Sequence, residues 1–217
     1  MYEAKSKEIV LRRVREALAK SAPFLPPTPD FTSPLHPPID IEDLSVIFAE
    51  AFVRNSGTFL YCENEEDFFD QLYAFKKEQN IQHFFVWEPN LQTILYHAGI
   101  DFAGGEENFV QNAEAALTTC EALITRTGSI LVSSANAGGR RLSVYPAVHL
   151  VVAKASQLVP DIKDGLQKVR NRYKENFPSM VSLVSGPSRT ADIEKTLVMG
   201  AHGPKQLVLF LIDDLPH

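Results

Sequence analysis

The sequence has only two cysteines, Cys62 and Cys120, 58 positions apart. That number cannot build a disulfide framework, and the separation lacks the close spacing that zinc and iron-sulfur sites use. No run approaches the roughly 18 consecutive apolar residues of a membrane span. The basic N-terminus has no apolar core of a secretory signal. Positive charge is also scarce: 21 Lys and Arg stand against 27 Asp and Glu, for a net charge of −6. Such a surface repels a phosphate backbone, which argues against nucleic acid as a partner. G-x-G-x-x-G, G-x-x-x-x-G-K-[ST], H-E-x-x-H and G-x-S-x-G are all missing, so dinucleotide, P-loop, zincin and serine-hydrolase readings have no support. We therefore expect a cytoplasmic protein with no membrane span and no metal site, binding no cofactor of its own.

What is present is ordinary globular material. Of 217 residues, 45% are hydrophobic and 22% charged, enough to bury the core of one α/β domain. Charge is unevenly spread. Residues 1–20 hold six Lys or Arg and three Glu, a local +3 that leaves −9 for the remainder. Val10, Val14, Ala17 and Leu18 fall on one face of a helix over 3–20, with Arg12, Arg13 and Arg15 elsewhere. Seven prolines lie between Ser21 and Asp40, denying that stretch helix and ladder hydrogen bonds. Residues 1–40 thus read as a basic amphipathic helix on a proline-rich tether, and 41–217 as the α/β domain.

Within that domain, apolar runs predict strands at 58–62, 83–87, 129–133, 148–153, 180–185 and 207–212. Helical periodicity covers 42–55, 65–80, 91–98, 113–117, 161–174 and 191–199. The alternation predicts an open, mostly parallel sheet flanked by helices.

Three places carry candidate chemistry. In Ser185-Gly-Pro-Ser-Arg-Thr-Ala-Asp-Ile-Glu194, Gly186 and Pro187 can make a strand-to-helix bend. Ser188 or Thr190 can cap the helix, and Asp192 and Glu194 favour its positive end. The functional alternative is an anion cradle of helix-start amides, Gly186, the Ser188 and Thr190 hydroxyls and the Arg189 guanidinium. Capping explains the hydroxyls but leaves Arg189 unexplained. Asn136 to Ser143 is a glycine-containing loop whose Arg140 and Arg141 could bind a carboxylate or phosphate, with Ser143 beside them; a solvated loop would look the same. His149, inside an apolar strand, and His202, before Gly203-Pro204, are weak catalytic candidates beside Glu194 and Asp192; a core histidine and a turn histidine are the plainer readings.

Taken together, Thr125-Arg-Thr-Gly128, Gly139-Arg140 with Ser143, Pro146 and His149, Gly186 to Glu194, and His202-Gly-Pro204 resemble the lactate utilization protein C (LUD domain) family in order and spacing, over about residues 42–214. The resemblance implies a fold similar to glucosamine-6-phosphate isomerase, ribose-5-phosphate isomerase and coenzyme A transferases, with a small anionic ligand meeting loops at strand C-terminal ends. It also implies work beside two iron-sulfur partner proteins in converting L-lactate to pyruvate, the clusters residing in those partners. The resemblance brings no established catalytic residues. The alternatives are an autonomous isomerase- or transferase-like enzyme using Glu194 or Asp192 on a phosphorylated sugar or acyl thioester, and a noncatalytic assembly module docking through residues 1–40.

Overall fold

Asn64 shows how local sequence fixes an element in this chain. Its side chain accepts the amide of Asp67 at 2.9 Å, Glu65, Glu66 and Asp67 occupy the first helical turn, and Lys76 and Lys77 occupy the last. That order caps the helix and complements its dipole, while Phe68, Leu72 and Phe75 recur on its buried face. Asp161 and Asp164 form a reciprocal capping box at the start of a second helix, 162–173.

The computed structural model describes residues 2–20, 36–39, 44–135, 141–193, 196–199 and 203–215. Most of the proline-rich tether, the loop 136–140, and Glu194 and His202 lie outside them. The chain divides into two units, Met1–Pro38 and Ile39–His217. The first contains helix α1 (Tyr2–Lys20), where Arg12 and Glu16 pair at 3.9 Å one turn apart. Among the described residues no helix is long and apolar enough to cross a membrane.

The second unit opens with α2 (Leu44–Arg54), β1 (Thr58–Cys62), α3 (Glu65–Glu78), β2 (Phe84–Phe85) and α4 (Pro89–His97). It continues through α5 (Phe109–Asn112), β3 (Ala115–Thr118), β4 (Ala122–Ile124), β5 (Ser129–Ser133), β6 (Val148–Lys154) and β7 (Leu158–Val159). Helix α6 (Ile162–Tyr173), β8 (Val181–Val184), β9 (Arg189–Ile193), β10 (Thr196–Met199) and β11 (Gln206–Ile212) complete it.

Five strands form an all-parallel sheet in the order β1-β11-β6-β3-β2. A second, mixed sheet runs β7-β4-β5-β8, antiparallel at β4-β5 and β5-β8. Alternation along β6 divides the core. Leu150 and Val152 join Phe68, Leu72 and Leu95 from α3 and α4, whereas Val151 and Ala153 join Phe48 and Phe52 from α2 and Leu123 and Ile130 from the second sheet. Removing each such Leu or Phe from water contributes about 2 kcal/mol. The parallel sheet flanked by helices is the architecture that the strand-helix alternation implies.

Two helices read from the sequence are strands. Residues 113–117 favour helix locally, yet Ala115–Thr118 is β3, buried at every position between β2 and β6; tertiary burial overrides alanine's propensity. Residues 191–199 were expected to open a helix after Ser188. Instead β9 and β10 pair antiparallel, with Thr190 opposite Val198 and Arg189 opposite Met199. The strand begins at Arg189 itself, so no helix dipole or row of helix-start amides follows Ser188.

Candidate functional site

In a parallel sheet every strand points the same way, so the chain leaves all five at one edge. The connections leaving β2, β3 and β6 bring Glu88, Thr119, Cys120, Glu121, Lys154, Ser156 and Gln157 to that edge. Ile212, the last residue of β11, and Glu65, at the start of α3, join them. Helix α6 adds Lys168 and Arg172, which share one face because they are four residues apart. Together they surround a cleft of about 700 Å³, within the range that holds a cofactor-sized ligand.

Two buried carboxylates define its electrostatics. Glu88 is 9% exposed and precedes α4, but its side chain turns from the helix start toward Thr119. The Thr119 amide donates to Glu88 Oε1 at 2.8 Å and its hydroxyl to Oε2 at 2.6 Å. Burial pushes the Glu88 pKa above the ordinary carboxylate value, with Glu121 adding to the rise; the Thr119 hydrogen bonds oppose it. Glu121 is 5% exposed. Its Oε1 accepts from the Ser133 hydroxyl at 2.6 Å and the Tyr173 hydroxyl at 2.8 Å, and Oε2 accepts from Arg172 at 3.0 Å. The bond to Glu121 raises the Arg172 pKa, and burial followed by Glu121 raises that of Tyr173.

The cations differ in commitment. Lys154 pairs with Glu65 at 3.5 Å, and Arg172 pairs with Glu121. Lys168 donates to the Ser156 carbonyl at 2.9 Å and has no carboxylate partner among the described residues. Gln157 fixes the cleft floor by donating to the Cys120 carbonyl at 2.8 Å while accepting from the Lys154 amide at 2.8 Å. Cys120 is a buried thiol whose pKa is driven upward by desolvation, so it stays protonated. The cleft can hold an anion through Lys168 and Arg172 and can offer the raised carboxyl of Glu88 to a proton.

The residues singled out in the sequence gather elsewhere. Arg189 donates to the Asn55 carbonyl at 2.9 Å and to the Ser56 hydroxyl at the end of α2. Gly186, at φ 104°, lies against the Asn55 carbonyl, and the Asn55 side-chain Nδ2 donates to the Thr127 carbonyl at 2.8 Å. Ser129 and Ser185 hydroxyls meet at 2.6 Å, and the Ser188 amide donates to the Pro204 carbonyl at 2.8 Å. Three motifs distant in sequence thus lock around the end of α2. Ser143 is half-buried in the turn before β6. Thr190 and Asp192 are on β9. Arg140, Glu194 and His202 lie outside the described residues. His149 is fully buried on β6, its Nε2 2.9 Å from the Thr118 hydroxyl, and burial pulls its pKa down to about 4. None of the described members of this set lines the cleft.

Glu88, Glu121, Lys168 and Arg172 escaped the sequence reading. A signal existed: Glu88 and Glu121 each stand three residues past an apolar strand of the parallel sheet, where ligands of such sheets bind. Their convergence depends on β3 being a strand, which local composition hid.

Comparison with known proteins bears on this geometry. A family model described as LUD domain matches residues 47–212. A protein named Lactate utilization protein C from Macrococcus caseolyticus is 31% identical over 118 residues, covering 52% of this chain and 51% of that protein. The Deinococcus radiodurans protein of the same name is 35% identical over 104 residues, 48% of each. Uncharacterized protein YkgG of Escherichia coli is 35% identical over 133 residues, 59% of this chain and 52% of its own length. This chain spans about half the length of the curated relatives it matches. The crystal structure of a DUF162 family protein from Deinococcus radiodurans covers 81% of this chain and 99% of its own, at a TM-score of 0.61 and 19% identity, and shows the same fold.

Proposed function

Because the chain belongs to the LUD domain family, matched from residue 47 to residue 212, we propose that it serves lactate utilization, supporting oxidation of L-lactate to pyruvate beside iron-sulfur partner proteins. The observation that carries this reading is its similarity to several relatives named Lactate utilization protein C. Forming pyruvate removes two electrons and two protons from L-lactate, and the electrons pass to clusters in the partners. This chain contributes the cleft at the sheet edge, where Lys168 and Arg172 favour an anionic metabolite. The chain works in the cytoplasm as a substrate-handling component. A strain lacking it is expected to lose growth on L-lactate while growing normally on pyruvate, and the tagged chain is expected to copurify with iron-sulfur proteins. Unimpaired growth on L-lactate would overturn the proposal.

One observation favours a second reading, in which the chain is catalytic alone. Glu88 is a buried carboxyl of raised pKa within a cleft, the disposition of a general acid or base. Turnover by the purified chain, abolished in Glu88→Gln with the fold retained, would favour it.

A further inference from the structure

Lactate is small for this cleft. A three-carbon acid carries one negative charge and fills little of 700 Å³. The walls combine three cations with three carboxylates, Lys154 paired with Glu65 and Arg172 with Glu121, and add an apolar patch. Lys168 and Arg172 stand one helical turn apart on α6, and Lys154 ends β6. Like charges at this spacing repel one another on a helix, and among the described residues only Arg172 of the α6 pair has a carboxylate partner. Ile94 of α4, 36% exposed, supplies most of the apolar patch, backed by the nearly buried Leu91 of α4 and Val152 of β6. Glu88 adds an acceptor for hydroxyl groups, held in place by Thr119.

Resting on the cleft as the functional site, we infer that it binds a nucleoside phosphate. The phosphates lie on Lys168, Arg172 and Lys154, which supply charge and forked donors. The base packs on the Ile94 and Leu91 side of the cleft. The sugar hydroxyls donate to Glu88. A ligand of this kind engages the volume, the Lys168 cation and the apolar patch together, whereas a small carboxylate leaves most of the volume empty.

The test uses the full chain with ADP, inorganic pyrophosphate, adenosine and L-lactate as probes, followed by calorimetric titration and thermal shift. ADP is expected to bind more tightly than pyrophosphate or adenosine. Lys168→Glu removes a cation that has no carboxylate partner among the described residues, and should weaken ADP and pyrophosphate by about tenfold or more, the scale of one charge-assisted contact. Ile94→Asp, a change at a partly exposed position, should weaken ADP and adenosine while leaving pyrophosphate unchanged. Circular dichroism checks that both variants fold. The inference is overturned if ADP neither binds nor stabilises the chain, if pyrophosphate binds as well as ADP, or if ADP is indifferent to Lys168→Glu. Growth on L-lactate is a separate readout: its loss in the deletion strain combined with silence toward ADP would remove this inference and leave the lactate role standing.

Discussion

Thr119 holds both oxygens of Glu88, its backbone amide donating to one and its hydroxyl to the other. The contact ties the end of β3 to the start of α4 and keeps a carboxyl buried at the cleft. Because burial raises the Glu88 pKa, the folded chain retains a proton at pH values where the unfolded chain, ionising near 4.5, has lost it. The stability associated with that proton is present below about pH 4.5 and is lost as pH rises through the raised value. Glu88→Gln should therefore gain on the wild type as pH rises from about 4 to 7, measured as a growing difference in melting temperature. A difference that is constant with pH would contradict this account of Glu88.

His149 should slope the other way. Its folded pKa of about 4 lies below the ordinary 6.5, so the unfolded chain takes up the proton first as the solution acidifies. Stability contributed by the neutral ring is complete above pH 6.5 and falls on descent toward pH 4, by about 3 kcal/mol in all. His149→Gln keeps a polar group near Thr118 and cannot titrate. Urea unfolding across pH 4 to 7 should show a shallower acid loss in the variant; equal slopes would rule out the assignment.

The Glu121 network is a stability element as well as a cleft wall. Tyr173→Phe and Ser133→Ala each delete one donor to the same buried oxygen and should cost about 1 kcal/mol. Glu121→Ala leaves both hydroxyls without their acceptor and should cost about 2 to 3 kcal/mol. Once Glu121 is gone, Tyr173→Phe should cost much less, a coupling that a double-mutant cycle reads directly. Independent, additive costs would show that the network is not a unit.

Gly128 and Gly186 are where backbone close approach is required. Gly128 has φ 57°, and an added Cβ would come within 2.4 Å of the α2 backbone at Ala51 and Phe52. Gly186 has φ 104°, and its Cβ would lie 2.2 Å from the Asn55 carbonyl. Alanine at either position should destabilise by about 3 kcal/mol or more, combining strain with displacement of α2. Arg189→Ala, which loses two hydrogen bonds to Asn55 and Ser56, should cost only about 1 kcal/mol. Denaturant midpoints would settle the order.

These contrasts explain what could be read from the sequence. Strands such as Ser129–Ser133 and Leu207–Ile212 announce themselves as apolar runs because both their faces are covered. Ala115–Thr118 does not, since alanine carries little strand signal and its burial comes from distant partners: β2 and β6 at its edges, and residues such as Leu91, Leu95 and Phe109 on its faces. The glycine-containing motifs stand out because close approach needs particular residue types, and the structure gives Gly186 and Arg189 partners at Asn55 and Ser188 a partner in Pro204. Glu88, Glu121, Lys168 and Arg172 are ordinary surface residue types until β3, α4 and α6 bring them to one edge. Ligands of such sheets meet strand C-terminal ends, and that is where these four side chains converge.

If function resides in the cleft at the strand ends, the glycine-containing motifs serve chiefly to hold the fold. Growth on L-lactate of a deletion strain carrying either Lys168→Glu or Arg189→Ala, at matched protein levels, compares the two regions directly. The account predicts that Lys168→Glu fails to restore growth and Arg189→Ala restores it; wild-type growth with Lys168→Glu and none with Arg189→Ala would contradict it.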